Sequence, residues 1–220
     1  MKRHNREVSA DLAVIGTGLA GFAASLFARD RGLSVAQIGH TGALSYTTGY
    51  LDLFGALEGK SLCDPWSGLD ALQRTAPLHP LARMSREDIE TALEGFINAL
   101  GEMGLRYTAP GTGNLSALLP GGGAKPTFSV PETMRPGIEA MQAGRPAVIV
   151  DFEGLQGFSA AEFRINMARH WPALRTLRLT FPGIDARPVF AEVMARAMET
   201  DETRKQLARL IRPELGSGEW

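Results

Sequence analysis

Residues 12–38 carry the arrangement that most restricts what this chain folds into. A short apolar run, Leu12, Ala13, Val14 and Ile15, leads straight into Gly16-Thr17-Gly18-Leu19-Ala20-Gly21, and the apolar stretch 22–28 follows. The run suits a buried parallel strand and the stretch suits a helix, so the three glycines stand where a strand turns into a helix. In that setting each has a separate task. Gly16 permits the sharp turn, Gly18 lets the backbone come close to a phosphate, and Gly21 lets the helix lie on the strand. The helix N-terminus then points its free N–H groups and positive dipole end at the ligand's phosphate. A second strand, 33–38, follows the stop at Arg31-Gly32 and completes a βαβ unit. A purely structural reading, three glycines packing a helix on a strand, uses the same residues.

The segment also has to be weighed as a membrane span or export signal, because 12–28 holds no charge and lies behind Lys2, Arg3 and Arg6. Seventeen uncharged residues fall short of a span, and Gly16-Thr17-Gly18 interrupts them at the middle, where each glycine costs a helix about 1 kcal/mol. Strand, turn and helix is the better reading.

A unit that binds an adenosine ribose usually carries Asp or Glu at the end of its second strand. Here that place is Ile38-Gly39-His40. Gly39 has no side chain to accept from a sugar hydroxyl, which disfavours NAD and points to a mononucleotide such as FMN, with FAD held by other contacts as the alternative.

Residues 40–54 then form a loop rich in hydroxyls and glycine, with Ser45, Thr47, Thr48 and Gly49, ahead of Tyr50-Leu51-Asp52-Leu53-Phe54. Pro65-Trp66-Ser67-Gly68-Leu69 and Ala76-Pro77-Leu78-His79-Pro80 come next, and Ala147-Val148-Ile149-Val150-Asp151-Phe152 lies further on. In order and spacing this succession resembles the B subunit of the anaerobic glycerol-3-phosphate dehydrogenase. The resemblance covers nearly the whole chain but about the first half of that family's usual length, and the Gly-Ser-Gly tail reads as a frayed or cut end. It implies an α/β fold in which a Rossmann-like βαβ flavin-binding unit is joined to a second α/β segment. It also implies an oxidoreductase component binding FMN, with FAD as the alternative, and a small-molecule substrate. Such a component works beside a catalytic FAD subunit and an iron-sulfur membrane-anchor subunit. Together they oxidise glycerol 3-phosphate to dihydroxyacetone phosphate and pass electrons to quinone, on the inner face of the cell membrane. Carried over residue by residue, the resemblance makes Gly16, Gly18, Leu19, Ala20 and Gly21 the phosphate cradle and Ser45, Thr47, Thr48 and Gly49 the loop near the flavin. It names no catalytic residue.

The remaining chain divides into a first part, 1–108, a Gly/Pro-rich linker or surface loop within 109–145, and a second α/β segment, 146–220. In the first part Ser85 caps an amphipathic helix with Ile89, Leu93, Phe96, Ile97 and Leu100 on its apolar face, and a strand 105–108 is expected after it. In the last part the pattern is strand, helix opened by Ser159 and Glu162, strand, helix from Pro188, and a final helix from Asp201. His79, between two prolines, reads as a structural residue of a rigid turn.

Composition closes off other classes. Lys and Arg number 23 against 24 Asp and Glu, so no global positive field favours nucleic acid. The single cysteine, Cys63, forms no internal disulfide and no Cys-based metal centre, and a free thiol fits a reducing, cytoplasmic setting. The surplus of arginine over 164–212 reads as solvated helix faces before it reads as a docking patch. Two further functions stay open: an assembly or scaffold subunit that keeps the fold without flavin, and an NAD-dependent dehydrogenase, the latter weakened by Gly39.

Overall fold

The computed structural model describes residues 7–40, 42, 47–184 and 188–218. Its first unit is the expected one. Strand β1, Leu12–Ile15, runs parallel to β2, Val35–Ile38, with helix α1, Leu19–Asp30, as the crossover. Leu12 faces Val35 and Ile15 faces Ile38 in the register. Asp11 and Ser34 lock its entry: Asp11 Oδ2 accepts from the Ser34 amide at 2.9 Å and from Ser34 Oγ at 2.6 Å. The apolar run 12–28, weighed above as a span, thus forms a strand and an amphipathic helix. Among the described residues no helix is long and apolar enough to cross a membrane.

Helix α1 owes its position to an apolar seam. Leu19, Phe22, Ala23, Leu26 and Phe27 pack against Leu51, Phe96, Ile97, Leu100 and Tyr107. Phe22 and Phe96 meet edge to face with ring centroids 5.9 Å apart, the geometry that ring quadrupoles favour. Phe96 and its neighbours belong to the long amphipathic helix read from the sequence, which spans Arg86–Glu102, and Ser85 Oγ caps it by accepting from the Asp88 amide at 3.0 Å. Ahead of it a helix Pro65–Thr75 is capped by Asp64, whose carboxylate accepts from the amides of Trp66 and Ser67. Between the two, a single turn of 3-10 helix, Pro80–Arg83, begins at His79. We number these helices α2 (Pro65–Thr75) and α3 (Arg86–Glu102).

Two local expectations fail. The strand 105–108 does not form: Tyr107 makes one isolated antiparallel bridge, to Pro131, and its ring is buried instead. The Gly/Pro-rich stretch expected as a linker or loop holds an antiparallel hairpin and a helix. After the short pair β3, Ala56–Leu57, and β4, Lys60–Ser61, the hairpin is β5, Leu115–Leu119, with β6, Gly123–Thr127. Gly122 at φ +81° turns the chain between its strands. The helix is α4, Arg135–Gln142. The stretch 128–130 is among the most buried of the molecule, with Phe128 and Val130 inside it.

The last segment follows its expected pattern. Strand β7, Ala147–Phe152, pairs in parallel with β8, Leu174–Leu179, across helix α5, Ala160–Met167. Ser159 caps α5, which ends at Met167. Trp171 seals this core, and its indole N–H donates to the Arg145 carbonyl at 2.7 Å. Helices α6, Ala191–Ala197, and α7, Asp201–Ile211, follow.

Candidate functional site

The turn after β1 is built as the motif requires. Gly16 sits at φ +119°, a conformation L side chains rarely adopt. A Cβ placed on Gly21 would lie 2.4 Å from the Gly16 carbonyl oxygen, so only glycine lets α1 approach the strand end this closely. Gly18 differs from both. Its φ is −71°, and a Cβ there would meet nothing within 4 Å: the space beside it is open. Gln37 steadies the turn from β2, donating through Nε2 to the Gly16 carbonyl at 2.9 Å.

The N-terminus of α1 has no side chain bonded to it. Gly18 is its N-cap, no side chain caps it, and its first turn, with Leu19, Ala20 and Gly21, carries no acidic residue. Helices α2, α3, α5 and α7 are each capped by a side chain of their own, from Asp64, Ser85, Ser159 and Thr200, whereas the shorter α4 and α6, like α1, have no side-chain cap. At α5 the Asp151 carboxylate also accepts from the Ala160 amide at 3.3 Å, so the corresponding place in the second parallel unit is filled by the chain itself. An uncapped first turn of a twelve-residue helix offers several backbone N–H donors and the positive end of the helix dipole to an anion.

Gly39, where an adenosine-binding unit carries a carboxylate, is closed to any side chain. A Cβ there would stand 2.4 Å from Thr17 Cγ2 and Oγ1 and 2.8 Å from its Cβ. Thr17 is β-branched and stiff at χ1, so it does not yield easily.

Of the loop expected near the flavin, Ser45 lies outside the described residues, while Thr47, Thr48 and Gly49 are described. Thr47 Oγ1 accepts from the Gly49 amide at 3.1 Å, and Thr48 Oγ1 accepts from the Tyr50 amide at 3.4 Å. Gly49 takes φ +72°. Its carbonyl accepts a 2.6 Å hydrogen bond from the buried hydroxyl of Tyr107, which belongs to the apolar seam holding α1. Cradle and loop are therefore fastened to one packed cluster. Burial pushes the Tyr107 phenol pKa up, and burial followed by the nearby Asp52 charge does the same for Tyr50.

Sequence reasoning missed Gln37 and Tyr107. A polar residue inside a four-residue strand was the one sign for Gln37, and Tyr107 gave none, since its partner is 58 positions away. His79 is structural: its Nδ1 accepts from the Leu81 amide at 3.2 Å and caps the 3-10 turn.

A family described as FAD binding domain matches residues 11–206. The chain belongs to that family. Membership bears out the α/β flavin-binding fold, and a flavin is the cofactor it implies. The cradle fits such a group: open space at Gly18, an uncapped helix end, and no acidic side chain in its first turn. The resemblance to the B subunit of the anaerobic glycerol-3-phosphate dehydrogenase is borne out as well. A protein of that name from Vibrio cholerae is 31% identical over 183 residues, covering 80% of this chain and 42% of the relative. One from Aliivibrio fischeri is 30% identical over 54% of this chain and 27% of the relative. One from Yersinia pestis is 28% identical over 90% of this chain and 49% of the relative. The chain thus spans about half or less of the length of these curated relatives. No solved structure matches it.

Proposed function

We propose that this FAD-binding-family chain holds FMN, as the B-type component of an anaerobic, quinone-linked glycerol-3-phosphate dehydrogenase. The observation that carries the reading is the first turn of α1, uncapped and facing open space at Gly18. The amides of that turn would grip the flavin's terminal phosphate, and the glycine backbone lets it approach without a side chain between. The steric block at Gly39 supports FMN over FAD, because no carboxylate at that position can hold an adenosine ribose. The loop 47–49 would lie along the ring side of the cofactor, with Gly49 fixed by Tyr107. When bound, the flavin supplies reversible redox chemistry, and the protein's part is to position it and tune it.

In this reading the chain works beside a catalytic FAD subunit and an iron-sulfur anchor subunit on the inner face of the membrane. The complex oxidises glycerol 3-phosphate to dihydroxyacetone phosphate and delivers the electrons to quinone. The purified chain is expected to be yellow and to release FMN on denaturation, identified by chromatography. Release of FAD alone overturns the FMN assignment, and quinone reduction on mixing with the partner subunits tests the wider one.

A second reading, an assembly component that keeps the fold without flavin, draws on the outer face of the β1–β2 pair. Ile15 and Ile38 stand 90% and 69% exposed there, apolar surface that suits a protein partner. Colourless protein that rejects added flavin would favour it.

A further inference from the structure

Gly16 is tied to β2 through both of its backbone groups. Its N–H donates to the Ile38 carbonyl at 2.7 Å, and its carbonyl accepts from Gln37 Nε2 at 2.9 Å. The first bond continues the strand ladder. The second comes from the polar side chain of a strand otherwise made of Val35, Ala36 and Ile38. A carbonyl oxygen only accepts, so Gln37 has to turn its amide nitrogen toward Gly16 and its Oε1 elsewhere. The same nitrogen lies 3.5 Å from where a Cβ on Gly21 would stand. One side chain thus reaches both arms of the turn, the end of β1 and the first turn of α1.

What the bond controls is the direction of a dipole. The peptide joining Gly16 to Thr17 is planar, so its oxygen and its N–H point to opposite sides. Gly16, at φ +119° and without a Cβ, leaves that peptide free to rotate unless something holds it. Held by Gln37, the oxygen lies in the crevice between strand and helix, against Gly21. It keeps clear of the space beside Gly18, where a Cβ would meet nothing within 4 Å. Rotation would turn that oxygen out of the crevice and set a partial negative charge beside the place of an anion. The fold itself gains little from the tether, because the bond is solvent-exposed and water takes over an exposed partner's role when it is lost. Its effect falls on the charge the turn presents.

We propose that Gln37 is a positioning residue of the phosphate cradle, holding the peptide after Gly16 with its carbonyl turned away from the phosphate. In this role, which rests on the flavin reading above, Gln37 governs affinity for a phosphorylated flavin and leaves the stability of the βαβ unit nearly untouched.

The test titrates the full chain with FMN and with riboflavin, which lacks the phosphate, and follows bound FMN by phosphorus NMR. Gln37→Leu removes the donor, Gln37→Glu keeps the shape but puts an acceptor in its place, and Gln37→Lys restores a donor. Gln37→Leu is expected to weaken FMN about three- to tenfold, to leave riboflavin within about twofold and to shift the bound phosphorus resonance. Gln37→Glu should weaken FMN about tenfold or more at low salt and less at high salt, since it also brings a negative charge near the phosphate. Gln37→Lys should bind FMN at least as tightly as wild type. Melting temperatures should stay within about 3 °C of one another. Should Gln37→Leu fail to fold, Gln37→Glu, of matching shape, carries the comparison. A folded donor-less variant with FMN affinity within about twofold of wild type and an unmoved phosphorus resonance overturns the role of Gln37 and leaves the flavin reading standing. Equal loss of FMN and riboflavin together with a lower Tm makes Gln37 a structural support only and overturns it as well. A wild-type chain that binds no flavin overturns both readings.

Discussion

The Tyr107 hydroxyl and the Gly49 carbonyl oxygen lie 2.6 Å apart, joining chain positions separated by 58 residues. The bond fixes a loop glycine at φ +72° to the cluster that also packs α1. Tyr107→Phe removes the donor and leaves a carbonyl in a buried place without its partner, so a loss of about 1–3 kcal/mol in stability is expected. Denaturant unfolding measures it. FMN affinity should fall too, since the loop loses its anchor, whereas a variant equal to wild type in both would show the bond to be incidental.

Gly18 and Gly21 make a matched pair for separating binding from folding. Gly18→Val adds a side chain into open space from an ordinary backbone conformation, so the fold should survive while the phosphate's place is taken. FMN titration should detect no binding in a protein whose circular dichroism and melting are near those of wild type. Gly21→Ala drives a methyl group to 2.4 Å from the Gly16 carbonyl, and the helix must move off the strand. That overpacking is expected to cost about 1–3 kcal/mol, seen as a lower Tm.

Gly39→Asp, the substitution a dinucleotide pattern invites, should destabilise the chain by about 1–3 kcal/mol through its clash with Thr17. In the double variant with Thr17→Gly most of that loss should return. A double-mutant cycle on Tm checks the coupling; additive effects would place the strain elsewhere.

Asp11 gives the fold an acid-sensitive fastening. Its hydrogen bonds from Ser34, the side-chain hydroxyl foremost and the amide next, hold its pKa below the ordinary aspartate value. The folded value is thus lower than the unfolded one, so the contribution is complete above the unfolded pKa and is lost as pH falls through the folded one. The stability difference between wild type and Asp11→Asn should be flat above about pH 5 and shrink as pH falls from about 4 to about 2 in thermal melts. A difference constant over that interval would assign no titration to this bond.

The first βαβ unit was legible because its signals are local: an apolar run, glycines at fixed spacing, and a helix pattern within thirty residues. The helices capped by Ser85, Ser159 and Thr200 were legible for the same reason. The β5–β6 hairpin was hidden by its own composition. Pro126 lies within β6, Gly121 and Gly122 sit in its turn and Gly123 opens β6, so a strand pair reads as loop until the register Leu115 to Thr127 is seen. Tyr107 followed the opposite course, reading as strand although it makes a single bridge, because its alternation with polar neighbours serves side-chain burial. The cleft that Thr48, Leu119 and Phe158 line could not be read at all: they come together through tertiary packing, which no window along the chain contains.

The contact between residues 17 and 39 also constrains how such a chain could change ligand over evolutionary time. A lineage that gained an acidic side chain at the second strand end first would pass through a crippled intermediate. Shrinking the turn residue beforehand is the order that avoids the clash.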